Sequence, residues 1–200
     1  MRYSRREVLA GIAVSPFLSP FAAAMTAETV AGDRFDPWIE IDPAAFRHNV
    51  QTISKLTSGR PILAVIKNNA YGLGLETVGP ILERMPEIAG FAVVKTSEAL
   101  TLRQAGVRKP ILLLGLFADS HGADLVKNDI QFSVCTDDAA ARIDAAGKAA
   151  GVKPAAQIYL DTGMGRMGIP YHRAMPVLED AASREFDVRG TFMGFTESDF

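Results

Sequence analysis

The stretch ILAVIKNNAYGLG, Ile62 to Gly74, drives five apolar residues into a single lysine, Lys67, and then into a polar, glycine-punctuated segment. A short apolar run of that kind reads as a buried strand. Lys67 then stands at the rim of a core. Burial or a neighbouring cation can hold such an amine neutral, and a neutral lysine amine forms a Schiff base with a carbonyl compound. A second stretch, IYLDTGMGRMGIP from Ile158 to Pro170, ends another apolar run at Asp161 and continues with Gly163, Gly165 and Gly168. These glycines permit a tight, irregular loop from which Arg166 projects. A guanidinium so placed can fork onto a carboxylate or a phenolate. It is not a nucleotide-phosphate loop, because no Gly-Lys-Ser/Thr follows. Each stretch also has a plain reading: a solvated lysine at a strand end, and a glycine-rich connection carrying a solvated arginine.

Six apolar runs alternate with helical patterns and would position these residues: Ile62–Ile66, Phe91–Val94, Ile111–Leu116, Ile130–Val134, Ala156–Leu160 and Gly190–Phe195. WIEIDPAAFRHNVQTISKLTSG reads as a short strand and a helix, with Asp42 as N-cap, Pro43 at the first helical position and Gly59 as the stop. Thr96 and Thr136 are expected to cap two further helices. Patterns around Leu75–Arg84 and Tyr171–Ser183 are interrupted by Pro80 and Pro176. Strands apolar on both faces, alternating with helices, imply a parallel sheet covered by helices. No Rossmann glycine fingerprint is present, so a (β/α)8 TIM-type barrel fits better than a doubly wound sheet. About six strands are supplied, so the α/β barrel is expected to be incomplete and open at two edges. In such barrels chemistry sits at the C-terminal strand ends, the edge expected to carry Lys67, Lys95, Asp161 and Gly194.

The 200 residues are 48% hydrophobic and 22% charged with a formal charge of −2, an ordinary globular composition without a basic stripe for nucleic acid. The single cysteine, Cys135, permits no internal disulfide and reads as a buried side chain. His48, His121 and His172 lack zinc-ligand spacing and read as surface or capping residues. The N-terminus, MRYSRREVLAGIAVSPFLSPFAAAM, combines Arg2, Arg5 and Arg6, an apolar stretch from Val8 to Phe21 and then Ala22–Ala24. Residues 1–24 read as an export signal of twin-arginine type, cleaved after Ala24, which implies a periplasmic protein; an ordinary secretory signal or a basic anchor is the alternative. Val8 stands where that pattern often has phenylalanine. The 14-residue stretch falls short of the roughly 20 residues that span a bilayer, so no stable membrane anchor is expected. Residues 25–37 read as a lead-in, and 38–200 as the partial barrel.

WIEIDPAAFRHNV, AVIKNNAYGLG and LDTGMGRMGI, in that order, resemble the alanine racemase family of barrel-type, pyridoxal-phosphate-dependent amino-acid racemases. The resemblance runs from about Trp38 to the end and implies the family's N-terminal barrel portion. It implies that Lys67 holds pyridoxal 5'-phosphate as a Schiff base and moves the substrate α-proton on one face. Tyr71 matches a tyrosine that hydrogen-bonds the cofactor phosphate. Arg166 matches an arginine beside the cofactor phenolate and the substrate carboxylate. Lys95 matches no functional position and reads as solvated. The family's remaining strands and its C-terminal β-domain are not present here. That domain supplies, from a partner subunit, a tyrosine acting as the second acid/base, which implies a homodimer for the intact protein and an inactive fragment for these residues alone. Two departures stand out. The lysine loop has Leu73 where the family usually has histidine, and Gly194 replaces a histidine that stacks on the cofactor ring. They leave the amino acid open and keep in view a barrel-type lyase acting on a hydroxy-amino acid; the missing acid/base partner keeps in view a non-catalytic cofactor-binding or interaction module.

Overall fold

The computed structural model describes residues 39–196. The chain divides into one unit ending at Glu40 and a second beginning at Ile41, and every helix and strand described lies in the second. The export signal over 1–24 and the lead-in over 25–37 lie outside the described residues.

In chain order the second unit runs α1 (Pro43–Leu56), β1 (Ile62–Val65), a short turn (Lys67–Tyr71), α2 (Leu75–Glu83), β2 (Ile88–Val93), α3 (Thr96–Gln104), β3 (Ile111–Leu113), α4 (Asp119–Lys127), β4 (Ile130–Val134), α5 (Ala139–Ala150), β5 (Ala155–Asp161), β6 (Ile169–Pro170), a 3₁₀ turn (Tyr171–Arg173), α6 (Ala174–Ala182) and β7 (Asp187–Met193). All neighbouring strands are parallel, in the order β1-β2-β3-β4-β5, with both β7 and the two-residue β6 paired to β5. The sheet curls into a half-barrel with its helices, as the alternating pattern requires. Among the described residues β1 and β7 each pair on one side only.

Asp42 caps α1 as expected, its carboxylate accepting from the Ala44 N–H at 2.7 Å, with Pro43 as the first helical residue. The other two caps differ from expectation. Thr96 is the first residue of α3, and Lys95 holds the cap position. Helix α5 starts at Ala139 after Asp138, to which the Thr136 hydroxyl donates at 2.6 Å. At α3 the acid Glu98 reaches the Lys95 N–H instead, whereas Asp138 before α5 makes no side-chain cap bond. Pro80 lies inside α2 without ending it. The opening strand expected at WIEI is not formed in its described part, Ile39–Ile41, where no neighbouring strand offers its backbone a partner. Helix α4 had no clear sequence signature. Its Gly122 sits so close to α5 that a Cβ there would lie 2.7 Å from the Ala146 Cβ, so the helices meet on small residues rather than an apolar stripe.

Alternate residues of β2 to β5 pack under the helices: Phe91, Ile111, Phe132 and Ile158 are fully buried there with Leu102, Leu125 and Ile143. Burying each such side chain is worth about 1.5–3 kcal/mol. Strand register puts the others on the barrel side: Leu63 beside Gly90, Val65 beside Ala92, Leu112 beside Gln131, Ser133 beside Gln157 and Tyr159 beside Phe192. Gln157 donates to Gln131 at 3.0 Å, and the Ser133 hydroxyl donates to the Leu113 carbonyl at 2.7 Å. Leu63 and Val65 remain 40% and 43% exposed, as expected on a strand with one neighbour.

The floor of the sheet is tied by one side chain. Arg103, near the end of α3, donates from Nε to the Asn128 carbonyl, from Nη1 to those of Val107 and Lys109, and from Nη2 to that of Asp129, at 2.8–3.0 Å. Its side chain is only 8% exposed, and burial pushes its pKa below the usual arginine value.

Candidate active site

The last β1–β2 ladder bond runs from the Ile66 N–H to the Ala92 carbonyl at 3.0 Å. Lys67 follows at once, half-buried. The next four residues, none of them glycine, wind the wrong way: Asn68, Asn69, Ala70 and Tyr71 have φ of 52°, 56°, 53° and 55°. With ψ of 46–53° at the first three, this is a turn of left-handed helix, held by Ala70 N–H to Ile66 O and Gly72 N–H to Asn68 O. Each residue of an L-chain costs about 1–2 kcal/mol in that conformation, with asparagine the most tolerant of the residues here. Such strain persists only where the surroundings over-determine it.

They do so here. Asn69 accepts the Leu75 N–H on its side-chain oxygen at 3.0 Å, so one residue both shapes the turn and starts α2. Glu98, the third residue of α3 and only 6% exposed, accepts from three backbone donors: Asn69 N–H at 3.2 Å, Val94 N–H at 3.2 Å and Lys95 N–H at 3.1 Å. Glu98 was not singled out in the sequence. An acid in a first helical turn is a visible capping signal, but its partner 29 residues upstream is not.

The arginine loop is gathered by Asp161 at the end of β5. Its carboxylate accepts from Gly163 N–H at 3.0 Å and from Gly165 N–H at 3.0 and 3.1 Å. These backbone donors hold the Asp161 pKa below the usual carboxylate range. Gly168, at φ 107°, closes the loop against β5, where any Cβ would lie 2.9–3.0 Å from the backbone of Tyr159, Leu160 and Asp161. Arg166 projects from this loop and is exposed.

Lys67 and Tyr71 thus open and close one turn after β1, and Arg166 lies on the loop after β5, at the same C-terminal edge of the sheet. Tyr71 is 63% exposed. Among the described residues, none of these three side chains is tied up in an ion pair. Lys95 is exposed, in keeping with its solvated reading, and so are His48, His121 and His172. Cys135 is buried and free, and burial pushes its thiol pKa up. The described residues contain no cluster suited to a metal ion.

Gly194 follows β7 on the barrel side. A Cβ there would lie 3.1 Å from the Met164 sulfur and 3.6 Å from the Tyr159 hydroxyl, and the Tyr159 ring stacks on Phe192 with centroids 4.3 Å apart. The space beside Gly194 is therefore bounded by a flexible thioether from the arginine loop. Leu73, the other departure, is 37% exposed between the lysine turn and α2. No helix among the described residues is long and apolar enough to cross a membrane.

This geometry has relatives. The family pattern described as "Alanine racemase, N-terminal domain" matches residues 41–199. The alanine racemase of Geobacter sp. (strain M21) is 34% identical over 165 residues, 80% of this chain and 43% of that protein. The solved alanine racemase of Clostridium difficile 630 superposes with a TM-score of 0.73 at 32% identity, over 82% of this chain and 44% of its own. A histidine racemase from Leuconostoc mesenteroides shares the fold with a TM-score of 0.70 at 22% identity, over 76% of this chain and 41% of its own. The chain spans less than half the length of these relatives. With the family pattern over most of its length and a strained lysine turn and a gathered arginine loop at one edge of a half-barrel, the chain belongs to the alanine racemase family, of which it carries the N-terminal domain.

Proposed function

We propose that this chain supplies the cofactor-holding part of a pyridoxal-phosphate-dependent amino-acid racemase. The observation that carries the reading is the over-determined left-handed turn behind Lys67, a strained backbone kept where a reactive amine would be needed. The donor set suits the cofactor: a half-buried primary amine, a phenol at the far end of the same turn and a guanidinium on the β5 loop at the same edge. When bound, pyridoxal phosphate draws electrons from the amino acid's α-carbon and makes its proton removable.

Lys67 would hold the cofactor through Nζ, and its amine would serve as the acid/base for the α-proton on one face. Tyr71 donates its hydroxyl to the phosphate. Arg166 would receive the substrate carboxylate and could serve the cofactor phenolate, groups a planar guanidinium binds well. Exchange on the second face needs an acid/base from elsewhere, which by family resemblance is a tyrosine of a partner subunit. The intact protein is on this reading a homodimer. The flexible Met164 side chain beside Gly194 supports amino acids larger than alanine as substrates. The N-terminal pattern supports export to the periplasm on a twin-arginine route, with cleavage after Ala24, which N-terminal sequencing of the exported protein would test.

The experiment is borohydride reduction and peptide mapping of the cofactor-loaded, full-length protein, with chiral product analysis on an unreduced sample. A pyridoxyl group on Lys67 and mirror-image amino acid as the sole product are expected. An adduct on any other lysine would overturn the assignment, and an oxo-acid or aldehyde product would make the protein a lyase.

A further inference from the structure

Lys67 is pinned from both sides. On one, the Ile66 N–H closes the β1–β2 ladder onto the Ala92 carbonyl. On the other, where the ladder has stopped, Glu98 takes over. One carboxylate oxygen receives the Asn69 N–H from the lysine turn, and the other receives the Val94 and Lys95 N–H groups at the end of β2. A side chain thus continues the pairing of two neighbouring strands beyond their ends. We propose that Glu98 is a positioning residue for Lys67, fixing the left-handed turn so that the amine presents itself at one place on the strand edge; this rests on Lys67 being the cofactor lysine.

The chemistry of the group matters as much as its place. Three converging N–H donors need an acceptor-only partner, and an ionised carboxylate is one. Glutamine offers one accepting oxygen and turns an NH₂ toward a backbone N–H, donor against donor. Without the clamp, only the turn's own hydrogen bonds and the Asn69–Leu75 contact oppose the cost of positive φ at Asn68–Tyr71. The backbone bearing Lys67 would relax, and its long, flexible stem would spread the amine over many positions. A buried donor left unpaired shifts a local equilibrium by about tenfold or more. The expected loss therefore falls on capture of a carbonyl by Lys67 rather than on the fold as a whole.

The test compares the full-length protein with Glu98→Gln and Glu98→Ala, and with Arg103→Met, which removes the floor clamp from the other end of the same helix. Each apoprotein is given pyridoxal phosphate, quenched with borohydride at timed intervals, and mapped for pyridoxyl on Lys67; unfolding midpoints are measured in parallel. Capture at Lys67 slowed about tenfold in both Glu98 variants, at unfolding midpoints no lower than that of Arg103→Met, supports the proposal. Capture unchanged in the Glu98 variants, or slowed as much in Arg103→Met, overturns it. Wild-type protein modified elsewhere than Lys67 would instead overturn the cofactor reading, and this proposal with it. If neither Glu98 variant folds, amide exchange in the wild type decides: the Asn69, Val94 and Lys95 amides must open together, and independent opening overturns the proposal.

Discussion

Helix α3 carries two clamps of opposite sign, and they hold opposite ends of the sheet. At its start Glu98 collects three N–H groups at the C-terminal edge, beside the lysine turn. At its end Arg103 collects four carbonyls at the N-terminal edge, from the β3 and β4 approaches. Both side chains are largely buried, at 6% and 8% exposure. The difference lies in what they hold. Arg103 joins connections with one non-glycine residue at positive φ, Asp129 at 53°, whereas Glu98 holds a turn with four such residues in succession. One end of the helix spends its polar contacts on stability and the other on shape, the division expected of a barrel whose chemistry sits at one face.

The sharpest way to break that contrast is at Lys67 itself. In the full-length protein Lys67→Ala should abolish cofactor attachment and lower turnover by at least about 10²–10⁴-fold, the usual weight of a proton-transfer group. Its denaturant midpoint should stay at the wild-type value, and a large fall would mean that the top edge is structural after all. At the floor, Arg103→Met should cost about 2–4 kcal/mol, since several carbonyls lose a charged donor together. Urea unfolding would measure this, and an unchanged midpoint would remove Arg103 from the comparison. Of smaller size, Met164→Ala should raise kcat/KM for methionine or lysine over alanine by about tenfold, because a methylene's worth of pocket is worth about 1–3 kcal/mol. A preference that does not move would show that Met164 does not bound the substrate.

The smallest effect is expected at Asp161, whose carboxylate holds the arginine loop by backbone hydrogen bonds. Its folded pKa lies below its unfolded value, so the support is fully present above the ordinary carboxylate pKa of about 4 and is lost as pH falls through the lower, folded value. Asp161→Asn keeps an acceptor but loses the charge, so substrate KM should rise only about twofold to fivefold at neutral pH. The variant and wild type should converge in acid unfolding once Asp161 is protonated. A gap that widens toward low pH would contradict the assigned sign.

The strands were legible because Ile62–Val65, Ile111–Leu113 and Ile130–Val134 are short apolar runs bounded by turn residues, a pattern that depends on local spacing alone. The Lys67 and Arg166 stretches were legible for the same reason: each follows a strand directly. What was hidden depends on pairs distant in the chain. Helix α4 meets α5 through Gly122 and Ala146, which look featureless until they touch. Glu98 reads as the first turn of a helix until Asn69 arrives beside it. The space beside Gly194 reads as empty until the arginine loop brings Met164 to it. The hand of the lysine turn was hidden too, because four successive non-glycine residues at positive φ run against local propensity.

That reversed turn also bears on the order in which the molecule matures. A segment whose own preferences oppose its final form cannot nucleate folding; it waits for β2 and α3 to dock and bring Glu98. The lysine turn is therefore expected to take its final form late in folding. Asn68→Gly, which makes positive φ cheap at an exposed position, should accordingly slow unfolding while leaving the folding rate unchanged, and a faster folding rate would mean that the turn forms early. If Lys67 is the proposed cofactor lysine, its reactivity is a late product of assembly, and the amine stays out of service until there is a site to contain it.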